Sequence, residues 1–214
     1  MRFSLATDAA PTILCLGAHS DDIEIGAGAL LLRFAESWPG ARIVWCVFSG
    51  SDARRAEARA SAEYFTRGYE NARIDCFSFR DGHFPSQLRE VKEKIEAIKS
   101  ECSPDLILTH YLHDRHQDHR VIAELTWQTF RDHLILEYEV PKYDGDFGSP
   151  NLYQPVSLEF RDRKLEALER FFETQRSKSW FSAETFSAVM RLRGVECNAE
   201  SGYAEAFYSR KAVF

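Results

Sequence analysis

The chain has 214 residues, of which 44% are hydrophobic and 28% are charged, and its formal net charge is −6. This composition is that of a soluble globular protein and excludes a chain that is mainly disordered. The acidic balance argues against general nucleic-acid binding, which requires a basic surface. The length predicts a single domain over residues 1–214.

The cysteines and the apolar runs bear on the compartment. The number of cysteines is odd and no two of them form a C-x-x-C pair, so we expect reduced thiols and a cytoplasmic protein. The cysteines are Cys15, Cys46, Cys76, Cys102 and Cys197. The run 9–18 loosely imitates a secretory signal after Arg2, but Asp8 and Pro11 interrupt that pattern. No run reaches the roughly 20 apolar residues of a membrane helix, so no membrane insertion is expected.

The first half of the chain alternates between strand and helix patterns. Four segments have the apolar pattern of buried strands: 12–17, 42–48, 73–79 and 104–109. Three segments between them have helical periodicity or composition: 25–34, 53–66 and 86–100. Short links between alternating elements indicate parallel βαβ units. We therefore predict an α/β fold with a doubly wound, mostly parallel sheet and Rossmann-like layering.

The second half is less regular. A fifth strand is predicted at 134–140, helices at 160–173 and 183–193, and a terminal segment at 203–207. The intervening run 143–151 is polar and contains glycine and proline, which is typical of a mobile lid or a subunit contact. A homo-oligomer is compatible with either role.

In doubly wound sheets, ligands bind outside the carboxyl ends of the strands. The loops that meet this description are 18–24, 49–53, 80–86 and 110–118. The first contains His19, Asp21 and Asp22, and a His and an Asp three residues apart can both bind zinc or a similar ion. Helix capping is the alternative, since acids suit a helix start. Capping explains one Asp, but not a His and two Asp together.

The fourth loop is rich in histidine at every third residue: His110, His113, His116 and His119. A step of three residues turns about 60° short of a full α-helical rotation, so all four cannot reach one metal from one helix. His116 and His119, at the start of a following helix, form the best pair. For His110 and His113 we favour ordinary strand-end or loop histidines with a hydrogen bond.

The two loops together offer His19, Asp22 and His119 as ligands for one zinc ion per chain, although other divalent ions suit the same donors. Three nitrogen or oxygen ligands and one open position are typical of catalytic rather than structural zinc. The groups that remain are available for proton transfer and orientation: Asp21, His116 and Asp118.

Two segments, Ala18–Gly28 (AHSDDIEIGAG) and Thr109–His119 (THYLHDRHQDH), resemble the PIG-L/LmbE family of zinc-dependent N-deacetylases. Shorter motifs agree with this resemblance: Arg54-x-x-Glu57, Asp81-Gly82, Arg193-Gly194 and Tyr203–Phe207. The resemblance covers nearly the whole chain and implies an LmbE-like fold.

The resemblance also implies roles for individual residues. The zinc ligands of the family match His19, Asp22 and His119. Asp21 matches the general base, His116 the charge-stabilising histidine, Asp118 the carboxylate that orients it, and Arg54 a basic position near the substrate. Ser20 and Gln117 stand where the family usually has proline. These departures affect loop rigidity, because proline fixes φ, but they remove no reactive group.

The implied function is a hydrolase that removes the acetyl group from an N-acetylated amino sugar, such as an N-acetylglucosamine conjugate. The partner is then a small molecule, without nucleic acid or membrane. Alternatives are a metal-dependent amidase, a phosphoesterase acting on another small substrate, or a non-catalytic metal-binding subunit. A phosphoesterase usually needs two metals, whereas the loops offer ligands for one.

Weaker motifs have ordinary explanations. Gly26-x-Gly28 is a fragment of a dinucleotide fingerprint, but the neighbouring carboxylates would repel a pyrophosphate. Arg191 and Arg193 suit a phosphate, although a solvated helix face is the favoured interpretation. Three aromatic residues suit a sugar site, although core packing is favoured for them: Trp180, Phe181 and Phe186.

Overall fold

The computed structural model describes residues 10–212, which contain one seven-stranded sheet. Its strands are β1 (Thr12–Gly17), β2 (Arg42–Ser49), β3 (Asn71–Phe79), β4 (Leu106–His110), β5 (Leu134–Tyr138), β6 (Leu152–Pro155) and β7 (Ala204–Tyr208). The order in the sheet is β3-β2-β1-β4-β5-β7-β6. Strands β1 to β5 pair in parallel, and β7 is antiparallel to both β5 and β6. The predicted α/β fold with a mostly parallel sheet is confirmed.

Helices cover both faces of the sheet. They are α1 (Asp22–Ser37), α2 (Asp52–Thr66), α3 (Leu88–Glu101), α4 (Gln117–Thr129), α5 (Leu158–Phe171) and α6 (Ala183–Glu196). Along β1, Ile13 and Cys15 join one core cluster while Leu14 and Leu16 join another, as the period of two along a strand requires. The first cluster includes side chains of α1, α2, α5 and α6, and the second includes those of α3 and α4. This layering is the doubly wound arrangement.

Several boundaries differ from the predicted ones for local reasons. Helix α1 begins at Asp22 instead of residue 25, so the polar first turn belongs to the helix. Strand β4 begins at Leu106 and leaves out Pro104, which has no N–H to donate to a neighbouring strand. Strand β6 follows the predicted loop at residues for which no element is predicted, because its four partly exposed edge residues lack a buried apolar pattern.

Some predictions involve residues outside the described range. The resemblance to a secretory signal depends on Arg2 and Asp8. Both residues lie outside the described range. The assignment of 1–214 to a single domain stays a prediction. Among the described helices, none combines the length and apolar character needed to cross a membrane.

Candidate active site

The crevice at the carboxyl ends of β1 and β4 is where the sheet order changes direction. The chain runs from β1 outward to β2 and β3, and then returns to place β4 on the other side of β1. Ligands of doubly wound sheets bind at such a switch point. His19, Asp21 and Asp22 follow β1, while His116 and His119 lie at the start of α4, just after β4.

Donor atoms of three side chains converge in this crevice, and Asp22 contributes both of its carboxylate oxygens. His19 Nδ1 lies 3.0 Å from His119 Nε2 and 3.3 Å from Asp22 Oδ2. His119 Nε2 lies 3.5 Å from Asp22 Oδ1. A tetrahedral ion with ligands at about 2.0–2.2 Å separates its ligand atoms by about 3.3–3.6 Å. The three predicted ligands therefore have nearly the spacing that a zinc-sized ion requires.

The ionisation states of His119 and Asp22 also suit a cation. Burial and then the charge of His110 lower the pKa of His119 to about 3, which keeps its ring neutral. Burial alone raises the pKa of Asp22, but the surrounding histidines outweigh it and hold that pKa well below its usual range. Metal ligation requires the neutral imidazole and the ionised carboxylate. His119 and Asp22 meet this requirement at neutral pH. Burial lowers the pKa of His19, but the carboxylates of Asp22, Asp118 and Asp81 outweigh it and hold that pKa well above its usual range, so a bound ion would displace a proton from this ring.

Three other donor sets share residues with this one. His116 lies within ligand reach of His19 and His119, and His110 within ligand reach of Asp22 and His119. A third group combines His19 with carboxylates of the neighbouring loops. The first two sets contain His119 and offer alternative ligands at the same centre, whereas the carboxylates of the third set lie against Nε2 of His19, the ring nitrogen opposite the one in the triangle.

Each of the two predicted histidine ligands has a carboxylate behind its second ring nitrogen. His119 Nδ1 lies 2.9 Å from Asp114 Oδ2. His19 Nε2 lies 3.1 Å from Asp81 Oδ1 and 3.3 Å from Asp118 Oδ2. Such partners fix the tautomer and orientation of metal-binding histidines. Asp114 was given no role by sequence reasoning, and the only available signal was its position inside the histidine-rich loop.

Asp114 is itself tied to the next loop. Lys142 Nζ donates to Asp114 Oδ2 at 2.9 Å and to Asp146 Oδ2 at 2.8 Å. Burial by itself raises the pKa of Asp114, but His119 and Lys142 outweigh it and hold the pKa far below its usual range. The side chain is therefore a carboxylate at any pH near neutrality.

Asp118 contacts the 80–86 loop and His19. Its carboxylate accepts the N–H of Gly82 at 2.6 Å and of Phe84 at 3.0 Å. Its link to His116 is through the main chain, because the Asp118 N–H donates to His116 Nδ1 at 3.3 Å. With Nδ1 accepting, the hydrogen of a neutral His116 ring is assigned to Nε2. Burial and then the charge of His19 lower the pKa of His116, which favours this neutral form.

Asp21 is buried beside the ligand triangle. Burial and the charge of Asp22 raise the pKa of Asp21 to about 6, while Arg54 opposes that rise. Arg54 Nη2 lies 3.5 Å from Asp21 Oδ1, Nη1 donates to Asp81 Oδ2 at 2.8 Å, and Nε donates to Ser20 Oγ at 3.1 Å. Ser20, which stands where the family usually has proline, thus holds this arginine. A carboxyl with a pKa close to neutrality suits both acceptance and donation of a proton.

The mouth of the cleft is formed by two segments remote in sequence from the metal-binding loops. The cleft has a volume of about 230 Å³, and its outer wall contains Lys142, Tyr143, Asp144, Gln175, Lys178 and Trp180. Tyr143 Oη lies 3.3 Å from Ser179 Oγ, which joins the two segments. Phe181 and Phe186 belong to the core, as favoured, whereas Trp180 lines the cleft. The role of 143–151 as a lid or subunit contact stays a prediction.

The remaining predicted candidates lie outside the reactive centre or behind it. His110 is fully buried and accepts the Ala18 N–H at 2.9 Å, which matches the favoured interpretation. His113 is exposed and packs edge-on against Tyr111. Both interpretations of Arg193 are wrong, because it is buried and forms ion pairs with Glu139 and Glu196.

Comparison with known proteins agrees with this geometry. Residues 14–130 match the PIG-L family model, which is described as GlcNAc-PI de-N-acetylase. The chain belongs to the PIG-L family. It is 30% identical over 168 residues to the uncharacterized deacetylase YaiS of Escherichia coli K12, which covers 74% of this chain and 89% of YaiS. The predicted family is confirmed, and this PIG-L protein is a deacetylase by enzyme class.

Solved structures show how widely the fold is used. N,N'-diacetylchitobiose deacetylase from Pyrococcus horikoshii is 18% identical, with a TM-score of 0.69 over 94% of this chain and 84% of its own. The 4-carboxy-2-hydroxymuconate hydratase GalB from Pseudomonas putida is 19% identical, with a TM-score of 0.73 over 95% of this chain and 98% of its own. One fold thus carries a deacetylase and a hydratase, so the reaction must be argued from the site residues.

Proposed function

We propose that this PIG-L protein is a zinc-dependent hydrolase that removes the acetyl group from an N-acetylated amino sugar, such as an N-acetylglucosamine conjugate. The observation that carries the proposal is the triangle of His19, Asp22 and His119 donor atoms, 3.0–3.5 Å apart, with Asp21 beside it. The family match supports the reaction class. The chitobiose deacetylase, which has the same fold, supports a sugar substrate.

The donor set fits one divalent ion. Two imidazoles and one carboxylate suit zinc, and three protein ligands leave a position for water or substrate. When bound, zinc would polarise the amide carbonyl and make water more acidic. We assign His19, Asp22 and His119 as its ligands, and the carboxylates behind both histidines as the groups that orient them.

Asp21 moves the proton in this scheme. It accepts a proton from the attacking water as the water oxygen bonds to the acetyl carbon. The C–N bond then breaks, and Asp21 returns the proton to the nitrogen, so the products are the free amine and acetic acid, which ionises to acetate at neutral pH. An amine is a poor leaving group without that proton, which is why one carboxyl serves as base and then as acid. The pKa of about 6 suits both steps.

His116 and Asp118 complete the arrangement. We assign the Nε2–H of His116 to the developing oxyanion, where a positioned donor stabilises negative charge. Asp118 positions His116 through its main-chain N–H and holds the 82–84 backbone with its carboxylate. Arg54 tunes Asp21 and lines the cleft, where it also contacts the substrate in our assignment.

The proposed setting is the cytoplasm, and the proposed partner is a small amino-sugar conjugate. All five cysteines lie in the described part of the chain and are free thiols, which supports a reducing compartment. Homo-oligomer formation stays a prediction.

The decisive assay measures amine release from a panel of N-acetylglucosamine conjugates by the purified protein, with zinc and with a chelator. The panel includes the free sugar and conjugates with phosphate, lipid and thiol carriers. Phosphate release and hydration of an unsaturated acid are measured in parallel. Zinc-dependent amine release that Asp21→Asn reduces by about 10²–10⁴ is expected. Zinc-loaded protein that releases phosphate, or that hydrates the acid without releasing amine, would refute the proposal.

A further inference from the structure

A buried ion pair contacts α1, the helix whose start carries Asp21 and Asp22. Lys164 of α5 and Glu205 of β7 are joined at 2.7 Å, and each side chain is 2% exposed. Both residues are remote in sequence from α1, against which they lie. Neither residue takes part in the chemistry assigned above.

The pair bonds to main-chain groups of α1. Lys164 Nζ donates to the carbonyl oxygen of Ile25 at 2.6 Å. Glu205 Oε1 accepts the N–H of Ala29 at 2.8 Å, and Oε2 accepts the N–H of Leu30 at 2.7 Å. In a regular α-helix the N–H of Ala29 bonds to the carbonyl of Ile25. Lys164 therefore contacts the acceptor, and Glu205 the donor, of one hydrogen bond that a regular helix would form.

The glycines of α1 let aromatic side chains pack closely against the same helix. A Cβ on Gly28 would lie 3.0 Å from the ring of Phe65 and 3.5 Å from Cδ of Lys164. A Cβ on Gly26 would lie 2.2 Å from the ring of Tyr138. The Gly26-x-Gly28 motif thus admits neighbouring side chains to the helix backbone, which accounts for it without a nucleotide.

Stability is a weak reason for such a pair. Desolvation of two charges offsets much of their attraction, and apolar replacement of a buried ion pair is often neutral or stabilising. Hydrogen bonds within the helix can satisfy the same backbone groups without any charge. What the ion pair does beyond stability is to fix the position of the first turn of α1 relative to α5 and β7.

The first turn is also where the reactive carboxylates lie. The N–H of Ile25 donates to the carbonyl of Asp21 at 3.1 Å, so the residue held by Lys164 is bonded directly to the proposed base. Asp22 lies between them and faces His119 across 3.5 Å. A shift of this turn along the helix axis would change both relations at once.

We propose that Lys164 and Glu205 are positioning residues that set the place of the first turn of α1, and so the approach of Asp22 and Asp21 to His119. The proposal rests on the proposed function for the roles of these carboxylates. Lys164 anchors the Ile25 carbonyl from α5, and Glu205 anchors the next turn from β7.

The test replaces both charges at once, with Lys164→Met and Glu205→Leu in one chain. This double variant leaves no unpaired buried charge, and the backbone groups of α1 can pair within the helix. The matched control is Arg163→Met with Glu36→Gln, which removes a second ion pair between α5 and α1, 2.7 Å long and with side chains 35% and 55% exposed. Thermal unfolding, the Co²⁺ and Zn²⁺ dissociation constants, kcat and KM are measured for each.

We expect the double variant to unfold near the wild-type temperature while its metal affinity falls about 10–100-fold, the range for lost orientation of a ligand. Its kcat at saturating metal falls similarly, with KM within about twofold, because the outer cleft does not move. The control keeps wild-type metal affinity and kcat.

A folded double variant with wild-type metal affinity and kcat would overturn the proposal. If the double variant does not fold, Glu205→Asp decides, because it keeps the charge but shortens the reach by one methylene. Wild-type metal affinity and kcat in Glu205→Asp would then overturn it. Wild-type protein that binds metal but releases no amine counts against the proposed function only, since metal affinity still tests the positioning role.

Discussion

Asp114 offers the sharpest test of the metal centre, because sequence reasoning gave it no role. Asp114→Asn removes the negative charge 2.9 Å from His119 Nδ1, at a contact where both side chains are only 3% exposed. The amide oxygen of Asn still accepts the Nδ1 hydrogen, so the ring orientation is kept while its basicity falls. Loss of such a partner costs about 10–100-fold in metal affinity, which is about 1.4–2.7 kcal/mol.

The assay is competition for zinc between the protein and a chromogenic chelator. The matched control is Asp146→Asn, which removes the other carboxylate of Lys142 without touching His119. We expect the loss of zinc affinity in Asp114→Asn to lie toward the lower end of the 10–100-fold range and the loss in Asp114→Ala toward the upper end. The zinc affinity of the control should stay within about twofold of wild type. Equal zinc affinity in wild type, Asp114→Asn and Asp114→Ala would refute the argument.

The same substitution has a pH signature in stability. The folded-state pKa of Asp114 is depressed, so its stabilisation is present above the unfolded pKa and is lost as pH falls through the folded pKa. Metal-free Asp114→Asn should therefore be less stable than wild type at pH 7. The difference in unfolding free energy should shrink as the pH is lowered from about 5 toward 2. A difference that does not change with pH would contradict this assignment.

Two further predictions concern groups of the site, and a third concerns Glu24, which is fully buried in the first turn of α1. Asp21→Asn should keep zinc and lose about 10²–10⁴ in kcat; near wild-type deacetylation would exclude it as the base. His116→Ala should keep one zinc and lose about 10²–10³ in kcat; loss of zinc from the same preparation would make His116 a ligand instead. Burial raises the pKa of Glu24 well above its usual range. The contribution of protonated Glu24 to the unfolding free energy is therefore fully present below the unfolded-state pKa and is lost as the pH rises through the folded-state pKa. Glu24→Gln, measured without metal, should therefore gain unfolding free energy relative to wild type between pH 5 and 8, and a constant difference would count against a protonated Glu24.

Local sequence patterns were sufficient to predict the parallel strands of the sheet, β1 to β5. Strand β1 was predicted with the bounds that the structure has, because a strand buried on both faces is a continuous apolar run. Its loop was expected to face the loop after β4, because parallel strands end at the same edge of a sheet. The convergence of His19, Asp22 and His119 follows from that topology, and the distances between their donor atoms agree with it. Their role as ligands stays a proposal.

Contacts between distant segments needed the tertiary structure. Asp114 matters because its carboxylate lies behind His119, and spacing alone does not say which acid of a loop reaches a given ring. Arg193 resembles an exposed helical cation in the sequence, yet folding buries it against Glu139.

The amino-acid sequence by itself determined the α/β class, the family and the residues that gather at the strand ends, since periodicity and strand-end placement are local properties. Only the tertiary structure decided the short edge strand β6, the antiparallel β7, and the wall that Lys142 and Trp180 form at the cleft. It also placed Lys164 and Glu205 against the backbone of α1 from segments 139 and 176 residues away. The physical reason is that a side chain's partner across the core depends on how whole helices pack, which no short stretch of sequence encodes.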